Sequence, residues 1–336
     1  MAHPLPPELL ADMRRLGPLW HHDIRAASQA MLAAWAPLID AAAPPAWRLH
    51  ADQSYGPHPR QRLDVYEPTG AAPSPGLLTE GGDGAPVLMF VHGGAFVRGE
   101  KCLTPQVYGN VSREFARHGF LAVNVEYRLA PEAVWPAGAE DVRDAVLWVA
   151  RNAARFGGDA RRMVLMAHSA GCAHAATSAW DARVRPPDGL PIVGLVLASP
   201  RVDADQHPGN PNAPGVAAYY GTDTSLYATR APIHRTRADA PPTFVGFAQY
   251  ENPMLEYQSL ELVNRLACLA RTDGAPMPRV AQYLDHNHTS LAAQFDTPFN
   301  AFGADLRDWI GRVLRGDFAG ARSSTGRSRG DDRRST

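Results

Sequence analysis

Apolar and polar positions follow two different periods along this chain. Between residues 7 and 43, apolar residues recur three and four positions apart, which predicts helices that end at the Pro-Pro pair at 44 and 45. From residue 85 onward, short apolar runs alternate with longer segments of helical period. Because strands that are apolar throughout are buried on both faces, this alternation predicts an α/β fold, with a mostly parallel central sheet and helices on both faces.

The individual elements follow from these periods. Strands are predicted over residues 62–68, 85–91, 120–127, 162–167, 191–199, 242–247 and 278–284. Helices of the α/β region are predicted over residues 139–157, 170–180, 255–270 and 302–314. The first two strands, joined by turn-forming residues, are expected to pair as a hairpin at the edge of the sheet.

The elements divide the chain into three parts. The first helices come before any strand signal, so residues 1–59 are predicted to form an N-terminal helical cap. Residues 60–315 contain every predicted strand and are expected to form one α/β domain. Residues 316–336 lack apolar periodicity and are predicted to be a disordered tail. The Pro- and Gly-rich segment 203–241 interrupts the alternation, and such long loops are usually functional or disordered.

Charge and cysteine content narrow the classes of function. The 336 residues carry 33 Lys and Arg against 34 Asp and Glu, a formal net charge of −1, which argues against binding to nucleic acid or to an anionic membrane. The N-terminus lacks a basic segment followed by an apolar run, and the three cysteines are too sparse for a disulfide scaffold. We therefore expect a soluble, cytoplasmic protein.

The sharpest local signal for chemistry is a serine between a strand and a helix. The segment RMVLMAHSAG carries the apolar strand into Ala167-His168-Ser169-Ala170-Gly171, after which a helix begins. Small residues two positions either side of Ser169 permit the tight turn of a nucleophile elbow, which exposes the hydroxyl at a helix N-terminus. An ordinary serine helix cap would need no such pattern on both sides.

A glycine pair follows an earlier strand, in the segment VLMFVHGGAF. Acyl transfer needs backbone N–H groups directed at a developing oxyanion, and glycines leave those amides unobstructed. The predicted oxyanion loop therefore includes Gly93, Gly94 and Ala95. We assign the donors to the amides of Gly94 and Ala95, joined by the amide of Ala170 just after the serine.

A third motif, YRLAPE at residues 127–132, completes a recognisable set. With the HGG loop and the AHSAG elbow in this order, the chain resembles the α/β-hydrolase superfamily, specifically the hormone-sensitive-lipase-like carboxylesterases and their arylformamidase relatives. The resemblance covers about residues 60–315. It implies the α/β-hydrolase fold and a serine hydrolase mechanism with Ser169 as the nucleophile.

The resemblance also limits where the catalytic base lies. In this fold the chain order is nucleophile, acid, histidine, and the segment LDHNHTS after the last predicted strand offers His286 and His288. His288 is preferred, because similar relatives place the catalytic histidine immediately before a hydrophobic or small residue and Ser or Asp. His286 remains the alternative.

The acid is identified by its spacing from a proline. Relatives carry Asp-x-Pro after the seventh strand, and the corresponding segment here ends in Glu251-Asn252-Pro253, which puts Glu251 in the place of the aspartate. Glutamate can also hold the imidazole tautomer and stabilise the imidazolium. Asp285 is the alternative.

Other conspicuous residues are assigned local roles. His168 and His174 flank the elbow, and strand alternation predicts that His168 points away from the pocket of Ser169. Cys172 is expected to be a small core residue. Neither the spacing of metal ligands nor a nucleotide-binding glycine motif occurs, so no metal and no cofactor are predicted.

The expected activity is hydrolysis of a small-molecule carboxylic ester, with a small, uncharged acyl or aryl group, through an acyl-enzyme. The alternative within enzymes is an arylformamidase or amidase acting on an N-formyl aryl amine. A receptor without catalysis is the alternative from another class, and such receptors commonly lose the serine or the histidine. The closing strand and helix could form the edge of a homodimer.

Overall fold

The computed structural model describes residues 4–20, 22–70 and 84–318, and its strands form a single sheet. In these residues the strands are β1 Trp47–Ser54, β2 Arg62–Pro68, β3 Ala85–Val91, β4 Leu121–Val125, β5 Gly158–His168, β6 Gly194–Ala198, β7 Thr243–Tyr250 and β8 Arg279–Asn287. Their spatial order is β1-β2-β4-β3-β5-β6-β7-β8. The pairs β1–β2 and β2–β4 are antiparallel, and the remaining pairs are parallel. The predicted mostly parallel sheet is confirmed.

Helices cover both faces of this sheet. The α-helices in the described residues are α1 Pro7–Leu16, α2 Ile24–Asp40, α3 Gly109–Arg117, α4 Ala137–Asn152, α5 Ala170–Trp180, α6 Ala213–Tyr220, α7 Tyr227–Arg230, α8 Leu255–Thr272, α9 His288–Ala293 and α10 Ala301–Leu314. Successive residues of β3 show how the two layers pack. Val87 and Met89 join the apolar core on one face, and Leu88 and Phe90 join the core on the other. Both faces are therefore buried, as the apolar strands indicated.

The sheet departs from the sequence prediction at its antiparallel edge. The predicted hairpin between the strands at 62–68 and 85–91 is wrong, because β2 pairs with β1 and β4 instead. The sheet also begins at Trp47, so the boundary predicted at residue 60 falls inside the β1–β2 hairpin. β1 escaped prediction because it is an edge strand, WRLHADQS, with no fully buried residue and hence no apolar alternation.

The first two helices pack on one face of the sheet and reach the end of β8. Met13 of α1 and Met31 and Trp35 of α2 are buried in the core of that face. None of the helices in the described residues has an apolar stretch long enough to cross a bilayer. The predicted turn segment at 68–86 and the predicted tail at 316–336 lie mostly outside the described residues.

Parallel strands β3, β5, β7 and β8 all end at the same edge of the sheet. Residues that follow them therefore meet there, although they are far apart in sequence. The loop after β3 carries the HGG segment, the turn after β5 carries Ser169, the loop after β7 carries Glu251, and α9 begins at His288 directly after β8. Every residue predicted to take part in catalysis lies at this edge.

Candidate active site

Ser169 occupies a strained turn between β5 and α5. Its φ of 55° and ψ of −124° lie outside the regions that most residues with a side chain adopt. Gly171 fits because a Cβ at this position would lie 2.4 Å from the carbonyl oxygen of His92. The small residues around the serine thus allow the turn that brings its hydroxyl to the start of α5.

His288 lies between the serine and a buried carboxylate. Its Nε2 is 3.0 Å from Oγ of Ser169, and its Nδ1 is 2.6 Å from Oε2 of Glu251. With Nδ1–H donated to Glu251, Nε2 is left as the acceptor for the serine hydroxyl. The structure brings together the three residues assigned to nucleophile, base and acid.

Glu251 is held by donors on its second oxygen. Oε1 accepts a hydrogen bond from the backbone amide of Ala248 at 2.8 Å and a short one from the hydroxyl of Ser199. The residue is only 1 % exposed. These two donors fix the orientation of the carboxylate beside His288.

The two alternative residues have other partners. Asp285 forms an ion pair with Arg14 of α1, with 2.9 Å between Oδ1 and Nε. His286 stacks on Trp35 of α2 at 6.0 Å between ring centroids, and its Nδ1 is 3.2 Å from Oγ of Ser290. Burial lowers the pKa of His286 to about 4. Both residues therefore contact the cap or their own loop.

The predicted oxyanion loop leaves β3 in an unusual backbone conformation. Gly94 has a φ of 146° and Ala95 a φ of 51°. In the described part of the chain, no acceptor is found for the backbone amides of Gly94, Ala95 and Ala170. These three amides are free to donate to an oxygen atom beside Ser169. Gly93 itself packs against Tyr108, because a Cβ added to this glycine would lie 3.0 Å from the phenol oxygen.

A charged network supports this loop from behind. His92 is fully buried, with Nε2 3.1 Å from Oε1 of Glu126 and Nδ1 2.7 Å from the carbonyl oxygen of Gly93. Glu126 also pairs with Arg60 and accepts from the amide of Lys101 at 2.9 Å. Burial alone would raise the pKa of Glu126, but hydrogen bonding to His92 and the nearby positive charges lower it. The YRLAPE motif adds Tyr127, whose hydroxyl donates to the carbonyl of His92 at 3.0 Å.

One residue at the elbow was assigned wrongly from the sequence. His168 was predicted to face away from the pocket, but it lines the pocket together with Tyr108 and Ser169. Its Nδ1 is 3.0 Å from the hydroxyl of Tyr108, and its Nε2 is 3.2 Å from the carbonyl oxygen of His288. Strand alternation fixes the face of the sheet, but His168 is the last residue of β5, where the segment at His288 folds across the strand end.

The pocket above Ser169 is built partly from the N-terminal helices. It has a volume of about 750 Å³ including its open mouth. The cap contributes Trp20, Ile24 and Ser28, and the segment before α3 contributes Leu103 and Val107. The remaining side, which is more polar, includes Arg98, Asn212, Asn252 and Thr289. Asn212 belongs to the long Pro- and Gly-rich segment 203–241, so this segment contributes to the pocket wall.

Cap and base are joined by direct hydrogen bonds. Nε1 of Trp20 donates at 2.7 Å to Oδ1 of Asn252, the residue that follows Glu251 in the sequence. The hydroxyls of Ser28 and Thr289 are 2.9 Å apart, and Thr289 follows His288 in the sequence. The N-terminal helices thus contact the neighbours of both the acid and the base.

A buried arginine lies behind the site. Arg201 follows β6, and its backbone amide donates to the carbonyl of Ser169 at 3.2 Å. Its side chain is 1 % exposed, and none of its guanidinium nitrogens has a hydrogen-bond partner among the described residues. Burial lowers the pKa of Arg201 to about 10, so the group remains cationic at neutral pH. Nothing in the sequence pattern marked this residue.

The described residues contain no group of three or more His, Cys, Asp or Glu side chains placed to hold a metal ion. Cys102, Cys172 and Cys268 are free thiols, and Cys172 is buried, as expected of a core residue. At this edge of the sheet the structure places a hydroxyl, an imidazole, a carboxylate and backbone amides.

Comparisons with known proteins agree with this geometry. The family model BD-FAE matches residues 77–186, which include the HGG loop and the elbow. The chain is 34% identical to esterase LipI of Mycobacterium tuberculosis over 184 residues, half of this chain and 56% of that protein. It is 28% identical over 292 residues to esterase LipQ of the same organism, which covers 82% of this chain and 65% of LipQ. In sequence the chain is therefore similar to carboxylesterases of the α/β-hydrolase family.

Solved structures of other proteins extend this likeness over nearly the whole chain. An esterase of Pyrobaculum calidifontis aligns with a TM-score of 0.66 at 24% identity and covers 94% of this chain and 100% of that one. Esterase B of Lactobacillus rhamnosis aligns with a TM-score of 0.68 at 16% identity, over 93% of this chain and 98% of that one. At such identities the structures establish the shared fold. The chain spans less than two thirds of the length of the two mycobacterial relatives.

Proposed function

We propose that this chain hydrolyses carboxylic esters through an acyl-enzyme on Ser169. The observation that carries the proposal is the placement of His288, with Nε2 3.0 Å from the serine hydroxyl and Nδ1 2.6 Å from a buried carboxylate. A weak nucleophile needs a base in contact and an orienting acid behind that base. The curated relatives named esterases support the same reaction class.

In the proposed mechanism, Oγ of Ser169 attacks the acyl carbon as His288 takes the hydroxyl proton on Nε2. Glu251 holds the Nδ1–H tautomer and stabilises the imidazolium that forms. The carbonyl carbon becomes tetrahedral and its oxygen becomes an oxyanion. The free amides of Gly94, Ala95 and Ala170 would stabilise this oxyanion. Removal of one such donor typically costs about a hundred- to a thousandfold in turnover.

Collapse of the oxyanion then breaks the bond to the leaving alcohol. His288 returns its proton to that alcohol, which leaves an ester between Ser169 and the acyl group. Water enters, gives a proton to His288 and attacks the same carbon. A second collapse releases the carboxylic acid and restores the serine hydroxyl.

The preferred substrates are proposed to be uncharged esters with short or medium acyl chains or aryl groups. The apolar side chains of Trp20, Ile24, Leu103 and Val107 in the pocket wall support this proposal. Hydrolysis of an N-formyl aryl amine is the alternative from the sequence, and the relatives, which are named esterases, give it no support.

The test is covalent labelling combined with a substrate panel. A fluorophosphonate should label the wild-type protein and leave the matched variant Ser169→Ala unlabelled. p-Nitrophenyl acetate, butyrate and octanoate should be hydrolysed faster than N-formylkynurenine. Absence of labelling in folded protein would favour a receptor without catalysis, and turnover of the formamide alone would overturn the ester proposal.

A further inference from the structure

Two buried side chains connect the oxyanion loop to the base. His168 is 3 % exposed and Tyr108 is 6 % exposed, and both line the pocket. The ring of His168 lies 4.7 Å from the ring of His288 between centroids. The acyl-transfer steps above assign no role to either residue.

The protonation of His168 follows from its partners. Nε2 faces the carbonyl oxygen of His288 at 3.2 Å, and a carbonyl can only accept, so Nε2 carries the hydrogen. Burial, with the neighbouring His288, holds the pKa of His168 well below its ordinary value, so the ring is neutral. Nδ1 therefore has a free lone pair, and the Tyr108 hydroxyl, 3.0 Å away, must donate to it.

The same reasoning extends to the oxyanion loop. With its hydrogen directed at His168, the phenol oxygen of Tyr108 has only lone pairs left for other partners. The backbone of Gly93 lies against that oxygen, since a Cβ added to Gly93 would be 3.0 Å from it. The two hydrogen bonds then point in one direction, from Tyr108 through His168 to the carbonyl of His288. Hydrogen bonds aligned in this way strengthen one another.

Backbone geometry shows that Tyr108 is held in place against its own preference. It has a φ of 75°, a left-handed conformation that is costly for a bulky aromatic residue. A Cβ added to Gly93 would lie 3.0 Å from the hydroxyl oxygen of Tyr108. The same Cβ would lie only 2.8 Å from the Cβ of Ser169. The phenol is thus packed between the glycine loop and the elbow, where no larger residue than Gly93 fits.

We propose that Tyr108 and His168 form a neutral bridge that positions His288 relative to the oxyanion loop. This Tyr108–His168 bridge consists of the Tyr108 hydroxyl, the His168 imidazole and the His288 carbonyl, with the Tyr108 phenol packed against Gly93. It rests on the proposed ester hydrolysis and deepens it. Both side chains are positioning residues, because they act on His288 and Gly93 and transfer no proton to substrate.

The first experiment breaks the bridge at each of its side chains. Tyr108→Phe removes the hydroxyl and should lower kcat about tenfold with KM changed by less than about twofold. Tyr283→Phe is the control, because it removes another buried phenol. The hydroxyl of Tyr283 donates to Asp305 at 2.9 Å and lies outside the active site, so this variant should leave kcat unchanged. An unchanged kcat in Tyr108→Phe would overturn the proposal.

A matched pair at His168 separates hydrogen bonding from packing. Gln and Met have similar lengths, but only the amide of Gln can both accept from Tyr108 and donate to the His288 carbonyl. His168→Met should lower kcat by about tenfold or more, and His168→Gln should restore most of the loss. Equal losses in the two variants would mean that the ring acts by packing alone and would overturn the bridge.

A third measurement is independent of activity and of any variant. Long-range nitrogen–proton NMR correlations on the isotope-labelled wild-type protein should identify His168 as the neutral Nε2–H tautomer. An Nδ1–H tautomer or an imidazolium at neutral pH would overturn the assignment. If wild-type protein hydrolyses no ester, the proposed function fails while this spectrum still decides whether the bridge exists.

Discussion

Two histidines separated by one residue at the end of β8 lie in different environments. His288 contacts Ser169 and Glu251, which we call the base side, whereas His286 contacts Trp35 of α2 and Ser290, which we call the cap side. Both are buried to a similar degree, at 8 % and 5 % exposure. Burial therefore does not distinguish a catalytic imidazole from a packed one.

The partners make the difference. On the base side, a carboxylate held by two further donors supports a positive charge on the ring during the reaction. On the cap side, an indole and a hydroxyl offer no such support, and the pKa of His286 falls to about 4 because burial disfavours its cation. A base needs a buried anion behind it and a nucleophile in front.

The largest expected effect comes from removing each ring in turn. His288→Ala should lower kcat by at least about ten-thousandfold, because the serine loses its base, and His286→Ala should keep it within about fivefold. Steady-state hydrolysis of p-nitrophenyl butyrate measures both, with circular dichroism to verify folding. The reverse ranking would transfer the catalytic role to His286.

The second effect comes from the carboxylate. Glu251→Gln should lower kcat by about a thousandfold or more, because an amide no longer fixes the Nδ1–H tautomer or stabilises the imidazolium. Asp285→Asn is the matched control. It changes the carboxylate that pairs with Arg14 on the cap side and should leave kcat unchanged. A large loss in the control would place the acid at Asp285.

Sequence patterns predicted the last strand but ended it at residue 284, whereas β8 continues to Asn287, and they could not separate the base side from the cap side. Residues 286 and 288 have the same parity in a strand, so alternation predicts the same face for both. The structure ends β8 at Asn287 and starts α9 at His288, and this change of period turns the two rings apart. The preference for His288 therefore came from the family resemblance and not from periodicity.

The same limit explains what else the sequence predicted and missed. Strands such as β3 were predictable because both faces are apolar. β1 was missed because an exposed edge strand has no such signal. Ser169 was marked by small residues around a tight turn, a requirement of local backbone geometry. Arg201 and Tyr108 depend on contacts between segments distant in sequence, which no local pattern records.

A third effect concerns stability on the cap side. The pKa of His286 is about 4 in the folded protein and near its ordinary value when unfolded, so between these values the unfolded chain binds the proton more tightly. The stability that the folded protein gains from a neutral His286 is fully present above about pH 6.5. It is lost as the pH falls towards 4, at about 1.4 kcal/mol per pH unit.

His286→Gln removes this titration and can keep a hydrogen bond to Ser290. The free energy of unfolding of the wild type minus that of His286→Gln should fall by about 3 kcal/mol between pH 6.5 and pH 4. Denaturant melts at several pH values measure it. Because other buried histidines such as His174 also have lowered pKa values, the difference between the two proteins is the relevant quantity. Parallel curves would show that His286 is not held neutral by the fold.

The smallest effect compares two serines, one on each side. The hydroxyl of Ser199 donates to Glu251 on the base side, and that of Ser290 lies 3.2 Å from His286 and accepts from the amide of Asn287 at 2.9 Å on the cap side. Ser199→Ala should lower kcat by about tenfold, the worth of one hydrogen bond to a charged group. Ser290→Ala should lower the melting temperature, because it removes the capping-box hydrogen bond at the N-terminus of α9. It should leave kcat nearly unchanged.

These two variants differ from the larger ones because each leaves both histidine rings in place. If Ser199→Ala acts through the charge of Glu251, its kcat loss should disappear in the Glu251→Gln background, since the two residues then form one unit. The Ser290→Ala effect on melting should persist in that background, because the cap side does not share the carboxylate. Additive losses of kcat in the double variant Ser199→Ala, Glu251→Gln would show that Ser199 supports the base side by a route other than its hydrogen bond to Glu251.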